Sequence, residues 1–349
     1  MKRILIHLLA VLSAPIILSS CGQTMTAETE ALDEYFDSIS TQFMGTVVVS
    51  QHGKTVYSKS VGYADIEAQI PSGPDSKYLI GSVSKTMTAV MAFRAIDAGL
   101  MSQDSTLESF FPGWGLPNAD KIKIDDLLYH RSGLHDIFEH DDYYEWYTSY
   151  HSREDILTKL AASKSDFEPG DSQDYCNAGF VLLSYILEDI YGKTFAQLVN
   201  DEIAVPAKLK NTYVPKKLDH SNNECRSYKY DDGWAEDAET SLSFPLGAGS
   251  IISTRADLNK FFNALFAGKY GNGIIERMSE IWGNFGRGLL PFFYYADKGM
   301  GHPGGIDSFA TELCRFERGE LTVSICTNGL SININDVLAT VLGTYLPQN

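Results

Sequence analysis

Hydrophobic and polar positions alternate in distinct regimes along the chain. Ile4 to Leu18 is an apolar run behind the basic start Met1-Lys2-Arg3. From Glu28 to Ser40, Leu32, Tyr35, Phe36 and Ile39 recur at helical spacing. Gly45-Thr-Val-Val-Val-Ser50 and Thr55-Val-Tyr-Ser-Lys-Ser-Val61 read as strands, and Gln51-His-Gly-Lys54 between them reads as a hairpin turn. Tyr78-Leu-Ile-Gly81 leads into a mostly buried helix marked by Met87, Val90, Met91, Ala95 and Ile96, which stops near Gly99.

The middle, about residues 100–244, reads as helix and loop rather than strand. Asp125 to His130 predicts a short helix closed by Ser132-Gly133, and longer helices follow at Glu154–Ala162 and Ala178–Ile190. Segments 138–150 and 229–239 are rich in acids and aromatics and read as surface loops. Strand signals return at Gly249–Ser253, Phe309–Phe316 and Leu321–Thr327, the last two around a turn at Glu317-Arg-Gly-Glu320. Thr254 with Asp257 resembles a capping box for a helix running to Leu265, and Asp336–Tyr345 predicts a final helix. Strands at both ends and helices between them predict an α/β fold. Its α/β lobe is drawn from 28–98 and 245–349, and the inserted, mostly helical lobe from 99–244.

Ile4–Leu18 is short for a membrane span and is interrupted by His7, Ser13 and Pro15, so residues 1–20 read as a secretory signal. Leu18-Ser-Ser-Cys21 resembles a bacterial lipobox. It makes Cys21 the expected lipidation site, 21–27 a tether, and the protein exported and lipid-anchored on the periplasmic or cell-surface side of a bacterial membrane. A plain cleaved signal and an uncleaved anchor are the alternatives. The formal net charge is −17, and loss of residues 1–20 removes Lys2 and Arg3 and no acid, which leaves −19. A surface that acidic repels a polyanion, so nucleic acid is excluded as a partner. Cys176, Cys225, Cys314 and Cys326 contain no C-x-x-C and read as mostly free, buried thiols. A turn at Arg318-Gly319 would not bring Cys314 opposite Cys326.

The candidate chemistry starts at Ser82-Val-Ser-Lys85. Ser and Lys three apart share one helix face, and a buried Lys with a lowered pKa can take a proton from a hydroxyl. Ser82 at a helix start also meets free N–H groups and the positive dipole end. Chance alone yields about one S-x-x-K in such a chain, and this is the only one present. Ser84, the rival hydroxyl, faces away from Ser82 and Lys85. Tyr175-Cys-Asn177 offers a phenol for proton transfer, eased toward ionisation by a cationic Lys, and an amide for a substrate carbonyl. Tyr147-Thr-Ser and Tyr270-Gly-Asn are decoys of similar spelling. Gly301-His-Pro-Gly-Gly305 is a glycine-rich stretch in which the Gly305 N–H could complete an oxyanion hole, a contribution of roughly 3–4 kcal/mol.

Ser82-x-x-Lys85, Tyr175-x-Asn177 and His302-x-Gly304 occur in the order and rough spacing of the serine β-lactamase and penicillin-binding protein superfamily. Ile80-Gly-Ser-Val-Ser-Lys-Thr86 and Leu127-Leu-Tyr-His-Arg-Ser-Gly-Leu134 agree, and the resemblance covers about 30–345. Tyr-x-Asn in place of Ser-Asp-Asn resembles class C β-lactamases and related DD-peptidases and esterases. The resemblance implies a transpeptidase-like fold with an antiparallel sheet. It also implies that Ser82 is acylated, that Lys85 and Tyr175 move protons, that Asn177 holds the substrate amide, and that His302 replaces the third-motif Lys. A class A deacylating Glu is excluded, since Arg255 stands where Leu258-Asn259 would require it.

Pro303 occupies the place of a Thr or Ser whose hydroxyl helps bind a substrate carboxylate. Losing a hydrogen bond to a charged group costs about 1.5–3 kcal/mol. The expectation is therefore a serine hydrolase acting on a peptide, amide or ester, with a class C-type β-lactamase and a non-catalytic cell-wall-fragment binding protein as alternatives. No cofactor is implied. His130 reads as structural. His135, Asp136, His140, Asp141 and Asp142 match no zinc spacing and read as solvated loop residues. Tyr143, Tyr144, Trp146, Tyr147 and Tyr150 either line a cleft or pack the helical lobe.

Overall fold

The computed structural model describes residues 26–139 and 142–347, so the signal segment, Cys21, His140 and Asp141 lie outside the described residues. The main sheet is assembled from both ends of the chain. Its strands are β1 (Phe43–Gln51), β2 (Lys54–Val61), β3 (Tyr228–Tyr230), β4 (Trp234–Glu236), β5 (Leu290–Tyr294), β6 (Asp297–Ile306), β7 (Phe309–Phe316) and β8 (Leu321–Leu330). The longer helices are α1 (Ala27–Ser38), α2 (Val83–Asp97), α3 (Arg153–Ala162), α4 (Asn177–Tyr191), α5 (Arg255–Phe266) and α6 (Ile334–Tyr345).

Six strands run in the antiparallel order β2-β1-β8-β7-β6-β5. The β1–β2 turn places His52 and Gly53 at φ 50° and 72°, the left-handed pair that matches the twist of a tight hairpin. On one sheet face Val47, Val49, Val323 and Ile325 pack beneath Leu32 and Phe36 of α1 and Val337 and Val341 of α6. The other face carries Leu313 and Cys326 into a larger core with α2, α4 and α5. Helix α2 is buried from Val83 through Phe93, with the polar side chains of Ser84, Lys85, Thr86 and Thr88 enclosed among its apolar ones. A short pairing of Tyr78–Leu79 with Ile252–Ser253 aims the chain into the start of α2.

Several expectations change. The 99–244 stretch is not strand-free: β3 and β4 form a hairpin that joins β8 through Tyr228 and Gly329. Segment 138–150 is not plain loop, since it holds a helical turn at Ile137–Glu139 and a short helix at Tyr143–Trp146. The Thr254 hydroxyl does cap Asp257 N–H at 3.2 Å, but the Asp257 carboxylate turns to Asn211 N–H at 2.6 Å, so the expected box is half formed. Gly301–Gly305 lies inside strand β6, although glycine and proline disfavour strands. Pairing with β7 overrides that propensity, with His302 opposite Leu313 and Gly304 opposite Thr311. Pairing with β5 ends at Gly301, so the other edge of His302–Ile306 has no strand partner among the described residues.

All four thiols at Cys176, Cys225, Cys314 and Cys326 are buried and free. Register puts Cys314 opposite Val323 and Cys326 opposite Thr311, not opposite each other. Among the described residues no helix is long and apolar enough to cross a membrane.

Candidate active site

Ser82 stands at the N-cap of α2, and its side chain makes no capping bond. The hydroxyl is instead within 2.9 Å of Lys85 Nζ. Lys85 is fully buried, and its Nζ also contacts Asn177 Oδ1 at 2.7 Å and the Ala248 carbonyl at 2.9 Å. Burial lowers its pKa to about 7, against the opposing pull of the Asp136 carboxylate. A neutral Lys85 can donate to Asn177 and Ala248 and still accept the Ser82 proton. The Ala248 carbonyl comes from Leu246–Ala248, a turn the sequence reading left unassigned.

Ser84 points elsewhere: its buried hydroxyl accepts from Ile251 N–H at 3.3 Å. The decoy Tyr270 is also buried and donates to the Ile203 carbonyl at 3.0 Å.

Strand β6 closes against the nucleophile. A Cβ on Gly304 would lie 2.1 Å from the Ile80 carbonyl oxygen and 3.3 Å from Ser82 N. Gly81, at φ +49°, faces the Gly305 backbone, 2.6 Å from where its own Cβ would be. Side chains at Gly81 or Gly304 would push apart the backbone that carries the Ser82 and Gly305 N–H groups. Gly305 itself borders the cleft, where a Cβ would meet nothing within 4 Å.

The Tyr175 ring has Lys85 Nζ 4.9 Å from its centroid. Here the expectation of an easily ionised phenol fails. Burial raises the Tyr175 pKa above the ordinary phenol value, and the neighbouring Ser82 hydroxyl offsets this only in part. The phenol therefore keeps its proton at neutral pH and is suited to donate it. His302 is buried, with Nδ1 2.6 Å from the Pro303 carbonyl. A carbonyl only accepts, so Nδ1 carries the hydrogen, and the buried Nε2 has no partner among the described residues. Burial and Lys85 lower the His302 pKa to about 3. At neutral pH it therefore brings no positive charge to the site.

Two residues hold the second motif in place. Helix α4 starts with Cys176 at its N-cap and no side-chain cap of its own. The buried Asp136 carboxylate supplies one from outside. It accepts from Asn177 N–H at 2.8 Å, Ala178 N–H at 3.3 Å and the Asn177 amide Nδ2 at 2.7 Å. This fixes the Asn177 amide with Oδ1 toward Lys85. The sequence reads Asp136 as a solvated loop acid, and the Asn177 at the helix start masks the need for a cap from outside. His130 is buried as a structural residue would be, but it also positions. It accepts from Cys176 N–H at 3.0 Å and stacks on Tyr175 with centroids 4.4 Å apart.

A cleft of about 460 Å³ opens above Ser82. Ser82, Tyr175, Asn177 and Gly305 line it, and so do Tyr143, Tyr144, Tyr147 and Asp307. Lys85, His302 and Gly304 lie behind this surface. Trp146 packs on Phe244 at 4.9 Å, and Tyr150 is exposed. Among the described residues no group of His, Cys, Asp and Glu is arranged to hold a metal.

Penicillin-binding protein 4* of Bacillus subtilis (strain 168) is 28% identical over 249 residues, 64% of this chain and 52% of that protein. Teichoic acid D-alanine hydrolase of Staphylococcus aureus is 23% identical over 276 residues, 75% of this chain and 65% of that protein. The chain thus spans less than two thirds of the length of these curated relatives. The solved structure of D-amino acid amidase from Ochrobactrum anthropi SV3, complexed with D-phenylalanine, superposes with a TM-score of 0.81 at 24% identity. That match covers 92% of this chain and 99% of the other, so the α/β fold with its mainly antiparallel sheet is shared. The Beta-lactamase family model matches residues 32–339, and the chain belongs to the Beta-lactamase family.

Proposed function

We propose that the protein is a serine hydrolase that cleaves an amide or ester bond through an acyl-enzyme on Ser82. The observation that carries this reading is the 2.9 Å contact between Ser82 Oγ and a fully buried Lys85 whose pKa lies at about 7. Neutral Lys85 takes the Ser82 proton as Oγ bonds to the substrate carbonyl carbon. The developing oxyanion faces the N–H groups of Ser82 and Gly305. As the tetrahedral intermediate collapses, the carbonyl–heteroatom bond breaks. Tyr175 protonates the leaving nitrogen or oxygen and recovers a proton from the Lys85 ammonium. Water then attacks the Ser82 ester and gives a proton to neutral Lys85; as the second tetrahedral intermediate collapses, the C–Oγ bond breaks, that proton passes to Ser82 Oγ, and the acid is released.

The finer reading is a D-amino-acyl amide or ester. The printed names of the relatives, D-amino acid amidase and teichoic acid D-alanine hydrolase, support it. So does Pro303, which lacks the hydroxyl that a carboxylate-bearing β-lactam would use. The test is turnover of D-alanine and L-alanine p-nitroanilides, short acyl esters and nitrocefin. The reading expects the D-anilide or an ester to be cleaved and nitrocefin slowly. Fast nitrocefin turnover with inert anilides and esters would replace it with a β-lactamase.

Export and lipid anchoring belong to the same proposal and rest on Met1–Leu18 and Leu18-Ser-Ser-Cys21. Labelled palmitate should enter the wild type and not Cys21→Ala, and label in both would reject Cys21.

A further inference from the structure

The lining of the cleft also carries chemistry that the acyl-transfer steps do not use. Asp307 follows Gly305 by two residues and borders the same cavity as Ser82. Its carboxylate accepts from Thr240 N–H at 3.2 Å and from the Thr240 hydroxyl at 2.6 Å. Among the described residues it has no cationic partner. The acids nearby are already engaged: Glu239 with His220 at 2.9 Å, and Asp237 with the Ser308 hydroxyl at 2.7 Å. Burial, with Asp237 and Glu239 beside it, raises the Asp307 pKa to about 6, so at neutral pH it is mostly an uncompensated anion.

The second observation is aromatic. Tyr143, Tyr144 and Tyr147 line the cavity as a contiguous group. Tyr143 lies 5.4 Å from both Tyr144 and Tyr147, and Tyr144 lies 5.9 Å from Tyr147. Ring faces attract cations, most strongly where water is displaced. A carboxylate and three phenol rings bordering one cleft make a receptor for an ammonium group, and they disfavour a carboxylate.

We propose that Asp307, with the ring wall of Tyr143, Tyr144 and Tyr147, binds the free ammonium group of an α-amino acyl substrate and sets the specificity of the cleft. This rests on the hydrolase reading above. The substrate class narrows to amides or esters of an amino acid with an unblocked amine, and N-acylated or carboxylate-terminated analogues become poor substrates.

The experiment compares kcat/KM for D-alanine p-nitroanilide and its N-acetyl derivative in wild type, Asp307→Asn, Tyr144→Ala and Tyr144→Phe. Fluorophosphonate labelling of Ser82 serves as the check of a folded site. Wild type should favour the free amine by at least about tenfold. Asp307→Asn should cut that preference about 10- to 100-fold, largely through KM, the range expected for losing a charged hydrogen-bond partner. Tyr144→Ala should lower it several-fold, and Tyr144→Phe should restore it. Equal wild-type turnover of the two substrates overturns the proposal, and so does a preference that survives in Asp307→Asn. Wild type that labels on Ser82 and cleaves p-nitrophenyl acetate but neither anilide also overturns it, while leaving the hydrolase reading intact. Absence of both labelling and ester cleavage would instead remove the hydrolase reading itself. If Asp307→Asn fails to label, the Tyr144 pair decides.

Discussion

Lys85 and Glu312 are both buried ionisable groups, and burial brings both pKa values to about 7, one from above and one from below. Their surroundings differ. Lys85 Nζ is caged by Ser82 Oγ, Asn177 Oδ1 and the Ala248 carbonyl. Glu312 stands on β7 between Pro303 and Ile325, and its Oε2 has no partner among the described residues. A low dielectric sets the pKa of each, but only the polar cage gives a proton somewhere to go. At Glu312 the same desolvation is a cost to folding.

Breaking the cage should have the largest effect. Lys85→Met removes the base and should lower kcat/KM by roughly a thousandfold or more, measured on whichever amide or ester the wild type cleaves. Retained activity would place the base elsewhere.

Glu312 comes next. Its folded pKa is raised above the unfolded value, so its stabilising contribution is complete below about 4.5 and is lost as pH rises through about 7. The full shift corresponds to about 3 kcal/mol. Glu312→Gln should therefore raise the urea midpoint at pH 8 and change it little at pH 5. Equal differences at both pH values would mean that the carboxyl has a partner in solution.

Asp136 sharpens the contrast because it acts only through the cage. Asp136→Asn keeps one acceptor and loses the charge. We expect kcat to fall about 10- to 100-fold, as for a misplaced catalytic group. The rising limb of the pH–rate profile should move to lower pH, because the Asp136 charge favours the Lys85 ammonium. A merely structural residue would lower activity without moving the limb. The smallest effect belongs to the neighbouring serine. Ser84→Ala loses only the 3.3 Å bond from Ile251 N–H, a cost of about 1 kcal/mol in stability, and Ser82 labelling should persist.

Much of the site was legible because it follows from local rules. The spacing of Ser82 and Lys85 at a helix start fixed their contact, and the Gln51–Lys54 turn fixed the first hairpin. What escaped was long-range. Asp136 caps a helix 41 residues away, and nothing in its neighbourhood announces that. The strand through Gly301–Gly305 runs against propensity and exists because β7 lies beside it. The Tyr175 prediction failed because the proximity of Lys85 was weighed and burial was not. The aromatic segment 143–147 could not be placed until the fold brought it beside Asp307.

The central claim is that Lys85, poised near neutrality, activates Ser82. The direct measurement is the rate of fluorophosphonate labelling, followed by intact mass between pH 5 and 9. The account predicts one adduct, mapped to Ser82, forming at a rate that rises with pH to a plateau with a midpoint near 7, and absent in Ser82→Ala. No adduct, an adduct on Ser84, or a rate that does not change across that range would contradict it.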